Sequence, residues 1–103
     1  MGKLSRDKGV EITEKALREL VRELCALFGW KFHFIWTSIH SPKGFPDLVL
    51  RKPPRLIFAE LKREKAKLTP SQKDWQADLK ACGQEVYVWR PSQVDEIAAI
   101  LRR

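Results

Sequence analysis

No apolar run in this sequence approaches the roughly 20 residues that cross a bilayer, so no membrane span is expected. Histidine and cysteine number two each, too few and too scattered for a zinc set, and neither Cys25 nor Cys82 has a CxxC partner. Both cysteines fall in segments read below as amphipathic helices, where cysteine acts as a small buried hydrophobe, and a reduced cytoplasm is the expected compartment. The first residues are too polar for the apolar core of a secretory signal, and Asp7 with Glu11 argues against an acid-poor transit peptide. Acidic residues are the minority, 13 Asp and Glu against 20 Lys and Arg, which leaves a net charge of +7. That balance concentrates polyanions around the protein by field alone, making nucleic acid the leading partner without specifying any chemistry. No internal repeat, low-complexity tract or long linker divides the 103 residues, so one domain over 1–103 is expected, of a size that folds without disulfides or structural metals.

What is present is a clear alternation of elements. From Glu11 to Phe28, Leu17, Leu20, Val21, Leu24, Cys25 and Phe28 recur at helical spacing, predicting an amphipathic helix with Thr13 as cap near Glu14 and Gly29 as stop. Lys31 to Thr37 is dense in aromatic and β-branched residues and reads as a strand with Phe32, Phe34 and Trp36 on one face. A polar loop, Ser38 to Gly44, follows. Pro46 to Arg51 and Arg55 to Lys62 read as an antiparallel hairpin bent at Pro53 and Pro54. Thr69-Pro70-Ser71-Gln72 has the form of a capping box with proline at the first helical position, opening a helix that runs to Cys82 and stops at Gly83. Glu85 to Trp89 is a short strand. Ser92 with Asp95 marks the start of a last helix whose stripe is Val94, Ile97, Ala98 and Leu101. The order αβββαβα predicts an α/β fold with a mixed sheet: three meandering strands, then a strand-helix-strand crossover to a parallel fourth.

The hairpin makes a specific demand. Residues whose numbers sum to about 107 should face each other across it, and Asp47 with Glu60 meets that condition. Two carboxylates at cross-strand distance destabilise one another unless a cation lies between them, and Mg²⁺ or Mn²⁺ is the natural neutraliser because both take carboxylate oxygens, water and then phosphate. Strand alternation puts Lys62 on the face of Glu60, where its ammonium can hold a phosphate or orient a water nucleophile. On a helical wheel Glu14 lies on the inward edge of the first helix beside Val21, Cys25 and Phe28, a third carboxylate in need of a partner; Glu11 is the second choice for that role.

The residues resemble the virus-type replication-repair nuclease (VRR-NUC) family of the PD-(D/E)xK, restriction-endonuclease-like superfamily. The resemblance rests on Gly44-Phe45-Pro46-Asp47-Leu48-Val49-Leu50, Phe58-Ala59-Glu60-Leu61-Lys62, Leu68-Thr69-Pro70-Ser71-Gln72 with Trp75, and Gly83 before Val86-Tyr87-Val88, in that order. It spans Glu14 to about Trp89, while Arg6-Asp7-Lys8-Gly9 resembles the start of phage resolvase-like proteins. The resemblance implies Mg²⁺- or Mn²⁺-dependent cleavage of DNA phosphodiesters on a restriction-endonuclease-like fold. It implies metal ligands at Asp47, Glu60 and the main-chain oxygen of Leu61, support from Glu14, a catalytic lysine at Lys62 and a site glutamine at Gln72. Stand-alone members look like homodimers related to Holliday-junction resolvases, which suits branched or duplex DNA in repair.

Each signal has a plainer reading. Glu-x-Lys in a strand is common on exposed faces, Pro-Asp is more often a turn, and the capping box alone explains Gln72. Their joint order and the Asp47–Glu60 pairing favour the nuclease. Lys43, Arg63, Lys65 and Lys67 are candidate phosphate contacts, whereas His40 is assigned to the surface loop. Trp30, Trp36, Trp75 and Trp89 are assigned to core or dimer contacts rather than to bases. The competing functions are a non-catalytic DNA-binding module with the same fold and a protein-interaction domain; intact Glu60 and Lys62 argue against the first, and no recognisable groove supports the second.

Overall fold

The computed structural model describes residues 12–35 and 42–103; Arg6-Asp7-Lys8-Gly9, Glu11, Trp36 and His40 lie outside them. Helix α1 spans Glu14–Phe28. It starts where Thr13 Oγ1 accepts the Ala16 amide at 3.0 Å and ends at Gly29, whose φ of 84° turns the chain out of the helix. Strands β1 (Lys31–Phe34), β2 (Leu48–Lys52) and β3 (Arg55–Leu61) follow, then α2 (Pro70–Ala81), β4 (Glu85–Trp89), a 3₁₀ turn at Pro91–Gln93 and α3 (Val94–Arg102).

The sheet runs β1-β2-β3-β4, antiparallel for the first two pairs and parallel for β3 with β4. The expected αβββαβα order and mixed sheet are therefore observed. Leu48 lies opposite Ala59 and Leu50 opposite Ile57, so the hairpin has the register that the Pro53-Pro54 bend dictates. Three strands differ at their ends, β3 among them, which stops at Leu61 rather than Lys62. β1 stops at Phe34 within the described residues, and β2 begins at Leu48 rather than Pro46, because Pro46 has no amide to donate to a ladder.

Strand alternation divides the sheet into two unlike faces. One carries Leu48, Leu50, Ile57, Ala59, Leu61 and Trp89, which form the core with Leu17, Val21 and Cys25 of α1 and Ile97, Ile100 and Leu101 of α3. Ile100 extends the expected stripe of α3, while Val94 and Ala98 are only half-buried. Arg55 seals the edge of this layer: its fork meets both Glu85 oxygens at 3.0 and 2.7 Å, and its Nη1 donates to the carbonyls of Ile100 and Arg103, which end α3 without intrahelical partners. Lys52 does the same for α1, donating to the Phe28 carbonyl at 2.8 Å.

The opposite face carries Asp47, Val49, Phe58 and Glu60 and is met by α2. Phe45 packs edge-on against Phe58 and Trp75, with centroids 6.1 and 5.0 Å apart, which fixes the segment entering β2 against α2.

Two expectations fail locally. Ser92 does not cap α3; its amide and hydroxyl both donate to the Glu64 carboxylate at 2.9 and 2.7 Å, and Gln93 Oε1 accepts the Arg90 amide instead. Charged Glu64 is a stronger acceptor for both Ser92 groups than a local cap would use. Cys25 is buried as expected, but Cys82 is exposed, because it is the C-cap of α2 and no longer faces the sheet.

Gly44 controls the approach to the second face. Its φ is +85°, and a Cβ there would lie 2.5 Å from the Ser71 carbonyl carbon in the first turn of α2. Gly44→Ala should destabilise the protein by more than about 2 kcal/mol, from the strained backbone and the main-chain clash together. Chemical denaturation measures this, and a loss below half that size would show that α2 can retreat.

Candidate active site

Asp47 is held on both sides. Its carbonyl accepts the Ile35 amide at 2.8 Å, extending the β1–β2 pairing, and its Oδ2 accepts the Leu61 amide at 2.9 Å. The buried ring of Pro46 precedes it. Asp47 and Glu60 thus meet across the hairpin as the register requires, close enough for each to act on the other's ionisation. Burial pushes Asp47 upward, partly offset by the Leu61 amide. Glu60, only 3% exposed, is pushed up to about 8 by burial first and the Asp47 charge second. The pair therefore holds a proton in common at neutral pH.

Glu60 Oε2 accepts from Gln72 Nε2 at 2.9 Å, whereas Oε1 is buried and no donor reaches it. Such an oxygen is costly in a low-dielectric site. Gln72 uses both ends of its amide. Its Oε1 accepts the Thr69 amide at 2.9 Å while the Gln72 amide donates to Thr69 Oγ1 at 3.1 Å, completing the capping box, and its Nε2 remains for Glu60. One side chain therefore both starts α2 and steadies a carboxyl on the neighbouring sheet. Gln72→Glu separates these functions, since glutamate also closes a capping box but has no amide for Glu60. The variant should keep the α2 start but lose at least about tenfold in cleavage rate, with a melting temperature that falls as pH rises because a third carboxyl now faces Glu60; unchanged cleavage would leave Gln72 a cap alone.

The Lys62 amide donates to the Trp89 carbonyl at 3.0 Å, which carries β-type pairing one residue past β3 and keeps Lys62 on the Glu60 face. Half-buried there, its charge favours the ionised forms of both carboxyls. Glu14 is placed differently from the helical-wheel expectation: it is exposed in the first turn of α1, although its charge still reaches Glu60. Among the described residues no group of three or more His, Cys, Asp or Glu side chains is gathered to hold a metal ion. The two carboxyls that meet are those of Asp47 and Glu60, with Glu14 exposed in the first turn of α1.

One cation near the pair escaped the sequence reading. Arg18 lies with its guanidinium 4.0 Å from the centre of the Phe34 ring, its charge lowers Asp47, and its buried Nε has no hydrogen-bond partner. The signal was available, since four residues separate it from Glu14 on the same helix face. The loop after Lys62 is also more built than its sequence suggests. Arg90 Nη1 donates to the carbonyls of Arg63, Glu64 and Ala66 at 2.8, 3.2 and 2.6 Å, shaping the segment that exposes Arg63, Lys65 and Lys67; Lys43 is exposed as well.

The family model for the VRR-NUC domain matches residues 6–93 of the chain. A solved structure titled "VRR_NUC domain" is similar at 25% identity with a TM-score of 0.72, over 84% of this chain and 94% of that one. A search of curated proteins finds no match.

Proposed function

The chain belongs to the VRR-NUC family of nuclease-type DNA-processing domains, and from that membership we propose that it is an endonuclease dependent on Mg²⁺ or Mn²⁺, with branched DNA as its preferred substrate. The observation that carries this reading is the Asp47–Glu60 pair, two facing carboxyls of which one has a buried oxygen that no donor reaches. That donor set fits a hard divalent cation, which takes carboxylate oxygens and completes its shell with water, main-chain oxygen and phosphate. Asp47 and Glu60 would hold the ion, with the Leu61 carbonyl as a third oxygen and Glu14 in support. When bound, it supplies Lewis-acid stabilisation of the phosphoryl charge and a more acidic water.

The chain's own groups perform the remaining work. The Leu61 amide and the Gln72 amide orient the two carboxylates, so neither must reorganise as DNA arrives. Lys62, on the same face, donates to the scissile phosphate or to the attacking water and offsets the charge that grows on the phosphoryl oxygens. Lys43, Arg63, Lys65 and Lys67 hold flanking phosphates. A homodimer would present two such centres to two strands, the arrangement that a junction or flap requires.

Cleavage of labelled four-way junction, flap and linear duplex by the folded protein, with Mg²⁺, Mn²⁺ or chelator, tests this reading. Cation-dependent cutting, fastest on a branched substrate, is expected. Binding without cutting on every substrate would replace it with the non-catalytic module.

A further inference from the structure

The face that carries Asp47 and Glu60 continues past the site onto β1 and β2. In register there, Lys31 faces Arg51 and His33 faces Val49, and the next residue of β2 on that face is Asp47. Lys31, Phe32, His33, Val49 and Arg51 line an open depression of about 340 Å³. Lys31, His33 and Arg51 are exposed, and among the described residues neither Lys31 nor Arg51 has an ion-pair partner. The contrast with the other face is sharp, since Arg55 and Lys52 there are both engaged. Apart from Asp47, this part of the face contains no carboxylate.

We propose that the outer face of β1 and β2 is a track for the DNA backbone leaving the cleavage site, with Lys31 and Arg51 gripping one stretch of phosphates. The proposal rests on the nuclease reading and adds a direction to it. Four strand residues separate Arg51 from Asp47, about 14 Å at the usual rise. The gripped phosphates therefore lie a few nucleotides from the cut bond. Charge selects the occupant. A second copy docked symmetrically would bring Lys31 and Arg51 against the same cations of its partner, whereas a phosphate backbone neutralises them.

The test compares wild type, Lys31→Ala/Arg51→Ala and a charge-matched control, Lys80→Ala/Arg102→Ala, whose exposed cations lie on α2 and α3. Binding of labelled duplex is followed by anisotropy in chelator across a NaCl series, and cleavage is followed with Mg²⁺. The track variant should show a salt slope shallower by about two and affinity at least about tenfold weaker at low salt, with the control near wild type. In cleavage its loss should fall on KM. Equal slopes in the two variants, or a track variant changed only in oligomeric mass, would overturn the proposal while wild-type cutting stands. A flattened slope in a wild-type background that never cuts would instead uphold the track and sink the nuclease reading.

Discussion

Asp47→Asn should lower the cleavage rate by at least about a thousandfold, some 4 kcal/mol of transition-state stabilisation, and yet raise the melting temperature of the chelated protein. Both effects come from the same carboxylate. Asparagine keeps an oxygen to accept the Leu61 amide, so the backbone of β3 is not left with an unpaired donor. It removes a carboxylate whose burial is itself unfavourable and whose charge is the second largest cause of the raised Glu60. Relief of roughly 1 kcal/mol would raise the melting temperature by several degrees in a domain of this size. The amide is a poor ligand for a hard cation, so activity moves the other way. Scanning calorimetry in chelator and a cleavage gel with Mg²⁺ measure the two. Cutting within tenfold of wild type would remove Asp47 from the proposed ligand set, and a less stable variant would show that the pair is not under strain. Lys62→Ala is expected to share the activity loss without the stability gain, because Lys62 favours the ionised carboxyls rather than opposing them.

The centre of the site was legible because it depends on local arithmetic. A tight bend at Pro53-Pro54 fixes which residues face each other, so Asp47 and Glu60 could be paired from their positions alone, and strand alternation then placed Lys62 beside Glu60. Capping of α2 by Thr69 and Gln72 was legible for the same reason. The second bond of Gln72, to Glu60, was not, because it joins a helix start to a strand whose distance no spacing encodes. Glu14 illustrates the limit of a helical wheel: the wheel finds the correct edge of α1 but not the depth of the first turn, where the side chain is exposed. Ser92 was misread because its acceptor, Glu64, is far away in sequence and outcompetes a local cap. Arg90 was invisible for a related reason. Its partners are the loop carbonyls of Arg63, Glu64 and Ala66, which leave no mark on the side-chain pattern.

The proton held by the Asp47–Glu60 pair predicts how stability and cation binding depend on pH. Glu60 is raised from the ordinary 4.5 to about 8 by burial and by Asp47, so between those values the folded protein holds a proton that the unfolded chain has released. Stability then falls as pH rises. The contribution is complete below pH 4.5 and is lost as the pH passes through about 8. Asp47, also raised, acts in the same direction. In chelator the melting temperature should therefore decline steadily across this window. Glu60→Gln, which still accepts from Gln72 and has nothing to titrate, should flatten the decline. Under the proposed function a divalent cation must displace the same proton. Its apparent affinity should rise with pH over the same window, one proton should be released per ion bound in weakly buffered solution, and the stabilisation by Mg²⁺ or Mn²⁺ should be greatest near the upper end. A level melting profile in wild type would show that Glu60 ionises normally, and cation binding without proton release would place the ion away from the Asp47–Glu60 pair.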